Sequence, residues 1–294
     1  MDQVQKKAAL LALLAAALYA ISSPFSKLLL ENIPAAMMAA FLYLGAGAGL
    51  FFIRVVSGIA ARTKKRKPLT KKELPYLIGM IVLDIAAPIF LMIGLNATTA
   101  ANTSLLNSFE IVATSLVALF LFKETISKRL WLAIALVTVS SAILSLEGGS
   151  SFCFSYGSAS VLLACVCWGF ENNCTRMLSA NDPIVIVTIK GFGSGLGSLI
   201  TAFVLGEEMP GIVFLCLALL LGFAAYGLSI YFYICAQRDL GAAKTSTYYA
   251  VAPFIGSGLS LLIFGEPPSL SYFIALVIMI TGTYFAATDV RKAS

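Results

Sequence analysis

Stretches of about 20 predominantly apolar residues, each long enough to cross a hydrocarbon layer of roughly 30 Å, follow one another along almost the whole of this 294-residue chain. Such a stretch is stable in a bilayer as a helix, because every backbone N–H and C=O then finds its partner within the segment. Only 12% of the residues are charged and 60% are hydrophobic, far from the roughly quarter-charged make-up of soluble domains. No stretch of useful size remains for a soluble domain. The expected fold class is an all-α membrane protein, with residues 1–294 as one transmembrane domain.

Ten segments are expected, at about 8–30, 34–57, 73–96, 100–122, 128–146, 155–179, 183–205, 211–236, 243–264 and 270–288. The first follows Lys6 and Lys7 and looks like a signal peptide, but the repeat described below requires it to stay. Pro24 should kink it, since an interior proline removes one backbone bond and crowds the preceding turn. Gly45, Gly47 and Gly49 in the second segment and Gly191, Gly193, Gly195 and Gly197 in the seventh permit close helix contact. The fifth segment has no charge in its interior, which suits a peripheral, lipid-facing helix.

The net charge of +6 is informative through its placement. If the amino terminus is inside, all twenty lysines and arginines except Lys27 and Lys190 fall in or next to cytoplasmic parts, whereas the outer connections carry Glu31, Glu147, Glu207, Glu208 and Glu266. Both termini are therefore expected to be cytoplasmic, in a multi-pass protein of a bacterial-type cytoplasmic membrane. Arg176 and Lys244 read as interfacial anchors. The basic loop at 62–72 holds a topology and does not suggest nucleic acid as a partner.

The chain also resembles itself. Displaced by 149 positions, Tyr19 meets Trp168, Lys27 meets Arg176 and Pro34 meets Pro183; displaced by 142, Thr103 and Ser104 meet Thr245 and Ser246, and Glu124 meets Glu266. This divides the chain into five-helix halves, 8–146 and 155–289. Because five is odd, the second half enters from the opposite side of the membrane, as in an inverted-topology repeat. Two such halves can exchange conformations around a cavity, which is the logic of alternating access.

Intramembrane polar residues mark candidate sites, because a charge in hydrocarbon costs about 2.5 kcal/mol or more and lines a cavity or pathway by default. On a continuous helix Thr103, Asn107, Glu110 and Thr114 share one face. Asn107 can hydrogen-bond Glu110 in either protonation state, and a carboxyl withdrawn from water can carry a proton; the alternative is permanent pairing with a base. Asp84 lies near mid-membrane one turn before Pro88, whose freed backbone offers a structural reason for a polar group. Trp168, Glu171, Asn172 and Thr175 share a helix face that could hold a cation by ring and carboxylate together, or Glu171 could pair with Lys190. Lys190 itself could bind a substrate carboxylate or snorkel to the interface. Tyr19, Ser22, Ser26, Tyr248 and Tyr249 are weaker candidates for the lining, since tyrosines also fill helix contacts.

The two five-helix halves, Trp168-Gly169, Pro253 and Gly265-Glu266-Pro267 resemble the drug/metabolite transporter superfamily, specifically its EamA-type members, over about residues 8–289. The resemblance implies that helices one to four and six to nine surround a central site, with five and ten at the periphery. The position paired with Pro253 is Ile111, beside Glu110, so the first half gives no sequence ground for a matching helix break.

A secondary-active carrier, driven by an ion gradient or by substrate exchange, is the leading expectation, since there is no nucleotide-binding motif and no room for such a domain. Histidine is absent, so any coupled proton must ride on Glu110, Glu171 or Asp84. Three acids against Lys190 favour cationic or zwitterionic cargo, such as small amino-acid-like metabolites or organic cations, moved by an exporter or exchanger. A channel or a non-transporting structural protein is the alternative. An intramembrane enzyme is the weakest reading, since HExxH and GxSxG are missing. No cofactor and no metal site are expected; the cysteines read as small apolar fillers. The implied partners are a small-molecule substrate, membrane lipid and, with coupling, protons, in a monomer or homodimer. Trp168, Glu171 and Asn172 should form the wall opposite Glu110, whose repeat mate is Ala252.

Overall fold

A computed structural model describes residues 3–56, 71–123, 125–146, 155–178, 182–240, 245, 248–265 and 267–288. Among them every regular element is helical: α1 (Gln3–Ala20), α2 (Ser22–Leu29), α3 (Ala35–Val56), α4 (Leu74–Ala97), α5 (Ala100–Leu106), α6 (Glu110–Phe122), α7 (Lys128–Ser145), α8 (Tyr156–Met177), α9 (Pro183–Val204), α10 (Ile212–Gly222), α11 (Ser229–Leu240), α12 (Ala252–Phe264) and α13 (Leu270–Ala287). Seven helical stretches are long and apolar enough to cross a membrane, and α12 and most of α13 are shorter apolar helices. Ten spans were expected; among the described residues length and composition alone qualify seven. Glu147, Lys244, Ser246, Glu124 and Glu266 lie outside the described residues.

Local breaks follow from backbone chemistry. The α1–α2 interruption falls at Ile21 because Pro24 cannot donate to the Ala20 carbonyl. That carbonyl instead lies against Gly256 of α12, where even a Cβ would come within 2.9 Å of it. Pro88 leaves α4 unbroken. The fourth expected segment is not one helix. A 3-10 turn at Asn107–Phe109 separates α5 from α6, without a proline, and the Leu106 and Asn107 carbonyls there accept contacts from the Cys165 thiol of α8, at 3.6 and 4.0 Å. In the other half the chain turns at Ala250–Val251 before α12, whose first turn contains Pro253. Both helices are thus interrupted at corresponding positions, and the expectation of a break in one half alone is corrected. Their far ends correspond too: α6 closes on Lys123 and α12 on Gly265, both left-handed (φ 53° and 64°). A π-helical turn, Phe223–Leu228, joins α10 to α11.

Packing sets the layers. α3 lies against α9 and α10 through glycine, with Gly47 against Gly191 and Gly45 so close to α10 that a Cβ would sit 2.1 Å from the Leu219 carbonyl oxygen. α4 packs on α8, α1 on α11, and α5 and α6 on α12 and α8. α7 and α13 pack on each other, joined by Ser140 Oγ donating to the Ala275 carbonyl at 2.6 Å. Their outer faces expose Trp131, Leu132, Val139, Phe273 and Val277, as suits lipid-facing helices.

Candidate functional site

Where α4, α6, α8 and α9 meet, charged side chains are buried. Lys190 of α9 reaches Asp84 Oδ2 of α4 and Glu171 Oε1 of α8, at 3.0 Å each, with the lysine side chain 13% exposed and the acids essentially inaccessible. Asp84 also accepts a hydrogen bond from the Tyr43 hydroxyl of α3 at 2.9 Å, and Glu171 accepts one from Thr175. The ammonium sits between two carboxylates in the interior, so of the two readings of Lys190 the snorkelling one is not what the side chain does. Likewise the Pro88-freed backbone is not what holds Asp84; Lys190 and Tyr43 are.

Glu110 opens α6 directly after the 3-10 turn. Its partner is Asn172 of α8, whose Nδ2 donates to Glu110 Oε1 at 2.6 Å and to Thr114 Oγ1 at 3.2 Å. Asn107 was the expected donor; the tightened turn places it differently, and its Oδ1 is buried without a partner, as is Thr103 Oγ1. The expected stripe is therefore divided. Thr114 and Glu110 meet α8, whereas Thr103 and Asn107 are enclosed around α5.

The wall across from Glu110 is also divided. Consecutive helical residues point about 100° apart, given 3.6 residues per turn, so Asn172 faces α6 while Glu171 faces α4 and α9. Trp168, 5% exposed, is packed in the main apolar core. Glu171 and Lys190 are the charged neighbours of Glu110, so the two polar groups form one electrostatic unit on either side of α8.

Tyrosines close the unit on the side of α1. Tyr19 contacts Tyr226 and Tyr249 with ring centroids 6.1 and 5.8 Å apart, and Tyr43 contacts Tyr226 at 5.3 Å. Ser22 donates to the Tyr226 hydroxyl at 3.4 Å, and Ser229 contacts the Tyr249 hydroxyl at 3.3 Å. Tyr248 is half-buried and outside this ring group. Tyr43, Tyr226 and Ser229 escaped the sequence reading. Tyr43 sits in an otherwise apolar run, and the π turn that aims Tyr226 inward leaves no signature in Phe-Ala-Ala-Tyr-Gly-Leu. Among the described residues no group of three or more His, Cys, Asp or Glu side chains is placed to hold a metal ion.

The chain is similar to known transporters along its length. The model of the EamA-like transporter family matches residues 6–146 and 155–288. An uncharacterized transporter of Methanothermobacter thermautotrophicus is 25% identical over 281 residues, covering 90% of this chain and 82% of that protein. A solved crystal structure superposes with a TM-score of 0.67 over 98% of this chain and 99% of the other, at 18% identity, a likeness of fold alone. The protein is thus an integral, multi-pass membrane protein, and it belongs to the EamA-like transporter family of the drug/metabolite transporter superfamily.

Proposed function

We propose that the protein is a secondary-active, alternating-access carrier of small amino-acid-like metabolites or organic cations, working as an exporter or exchanger with Glu110 as its proton-carrying group. The carrying observation is the contrast between two acid sites that share α8, one buried and the other half-buried. Asp84 and Glu171 are compensated by Lys190, whereas the described hydrogen-bond partner of Glu110 is a neutral amide. An acid held by an amide keeps a partner whether or not it is ionised, because Asn can donate through its nitrogen or accept through its oxygen. Glu110 can therefore gain and lose a proton without dismantling its surroundings. A trio with one lysine between two acids leaves a net negative charge, which together with the tyrosine faces suits a cationic or zwitterionic cargo.

In this reading ten spans form two inverted five-helix halves, residues 8–146 and 155–289, with both termini cytoplasmic and the protein in a bacterial-type cytoplasmic membrane. Helix pairing supports it. Numbering the segments one to ten, the main contacts are two with seven, four with nine and five with ten, each mapped onto itself when the halves are exchanged. Three with six and one with eight are mapped onto each other. The family match also falls in two stretches that coincide with the halves.

The test is Glu110→Gln, which keeps shape and hydrogen bonding but cannot ionise. After a thermal-shift screen has found a cargo, since a ligand that binds the folded state raises its stability, the variant should fold and bind in proteoliposomes yet lose pH-gradient-driven transport. Transport with wild-type turnover and pH dependence sinks the assignment. Accelerated uptake when cargo is present on the far side separates a carrier from a channel.

A further inference from the structure

Buried polar atoms without a protein partner are concentrated on one short stretch of chain. Thr103 Oγ1, Ser104 Oγ, Asn107 Oδ1 and Ser108 Oγ lie on α5 and its 3-10 turn, and Ser158 Oγ lies on the first turn of α8. Each of these residues is less than one-tenth exposed. An unsatisfied buried polar group costs about 1–3 kcal/mol, and native proteins keep few of them, so an ordered water is an ordinary explanation. Four such atoms fall between positions 103 and 108; Ser104 Oγ lies towards Gly256 of α12, so Thr103, Asn107 and Ser108 are the ones that water on the α8 side would serve.

The two ends of this stretch say where the water leads. At one end is a cavity of about 530 Å³, lined by Thr99 and Asn102 around the start of α5, Ser155 and Ser158 around the start of α8, and Lys27. Since a water occupies about 30 Å³ of liquid, the cavity has room for on the order of ten. At the other end is Glu110. Glu110 is eight positions beyond Asn102, about 12 Å at a helical rise of 1.5 Å per residue. Between them α5 carries hydroxyls and amides but no titratable side chain, so the stretch can pass a proton along and cannot trap it.

We infer that a file of water runs along the α5–α8 seam from this cavity, and that Glu110 exchanges protons through it with the membrane face at which α5 begins. This rests on the reading of Glu110 as a proton carrier. The step is a relay: a hydronium ion in the file gives its proton to a Glu110 carboxylate oxygen and is left as water, and release runs in reverse. The groups electrostatically coupled to Glu110 are Tyr19 of α1, Cys165 and Glu171 of α8, Lys190 of α9, Tyr226 of the π turn and Tyr249. Lys190 is the only cation among these, and its charge opposes an approaching hydronium from the α9 side. On the α5 side the cation is Lys27 at the cavity, whose ammonium is turned to the Leu95, Asn96 and Thr98 carbonyls, at 2.6, 3.0 and 2.9 Å.

Infrared spectroscopy of the intact protein in lipid nanodiscs reads the exchange without any cargo. The Glu110 carboxyl band is assigned by its loss in Glu110→Gln, and its shift after a switch to heavy water is timed. Thr103→Val, which keeps the side-chain shape and removes the hydroxyl, should slow the shift at least threefold, and adding Asn107→Leu should slow it at least tenfold. Ser198→Ala, which removes an equally buried unpartnered hydroxyl of α9, should leave the rate unchanged. If the double variant fails to fold, Thr103→Val alone decides under its threshold of threefold. A Glu110 band that exchanges at the wild-type rate in the α5 variants overturns the route and leaves the carrier reading standing. Absence of a Glu110 carboxyl band over the pH range in which the protein is folded overturns both.

Discussion

Removal of the Lys190 ammonium is the perturbation with the best-defined energetics. Its two ion pairs are 3.0 Å long, so each contributes roughly 5.5 kcal/mol of attraction at an effective dielectric constant near 20. Against this stands a desolvation penalty of several kcal/mol for each of the three ions, about the same size in sum. The trio as a whole is therefore close to neutral for stability, but its parts are not. Lys190→Met keeps the length of the side chain and leaves Asp84 and Glu171 facing each other without a cation, for which a cost of about 3–5 kcal/mol is expected. In a chain of this size that lowers the apparent melting temperature in detergent by on the order of 10 °C. Lys190→Met combined with Asp84→Asn and Glu171→Gln removes all three charges, and should recover most of the loss. Size-exclusion thermostability of the three proteins, purified side by side, measures both numbers. A single variant as stable as wild type, or a triple variant no better than the single, refutes the account of this site as one compensated charge group.

Three further outcomes test the packing and the helix ends. Gly45→Ala puts a methyl 2.1 Å from the Leu219 carbonyl oxygen, a backbone contact that cannot rotate away, so α3 and α10 must separate at a cost of about 1–3 kcal/mol, read as a lowered melting temperature. Lys123→Gly should raise the melting temperature, by roughly 1 kcal/mol of relieved left-handed strain at φ 53°; an unchanged or lower value contradicts it. Glu207 accepts from the Ala36 and Met37 amides at 3.1 and 2.7 Å, capping the start of α3, so Glu207→Gln should cost about 1 kcal/mol, more at low salt than at high.

What the chain discloses before folding is its lipid-facing chemistry. Apolar length, basic loops and the displaced matches Tyr19 with Trp168 and Pro34 with Pro183 are properties of composition and spacing, which a membrane constrains tightly. The buried acids were legible for the same reason, since Asp84, Glu110 and Glu171 are conspicuous in hydrocarbon. Their partners were not. Whether Glu110 turns to Asn107, three residues away, or to Asn172, on another helix, depends on a 3-10 turn that nothing in Asn-Ser-Phe announces. Tyr226 depends in the same way on one extra residue per turn at 223–228.

That turn also changes how the asymmetry between the halves is understood. Sequence alone puts a helix break at Pro253 and a charge at Glu110, on opposite members of a repeat pair, as though each half had been given a different device. In the structure the chain breaks at both positions related by the displacement, 107–109 and 250–251, with proline after the second and a tightened turn and the Cys165 thiol at the first. The repeated interruption places the start of a new helix inside the bundle twice, at Glu110 and at Ala252. The stretch without proline keeps a donor at position 111 and carries a carboxylate at the first residue of α6, where Asn172 holds it in place. Glu110 is then the charged version of a joint that the chain makes twice, at 107–109 and at 250–251.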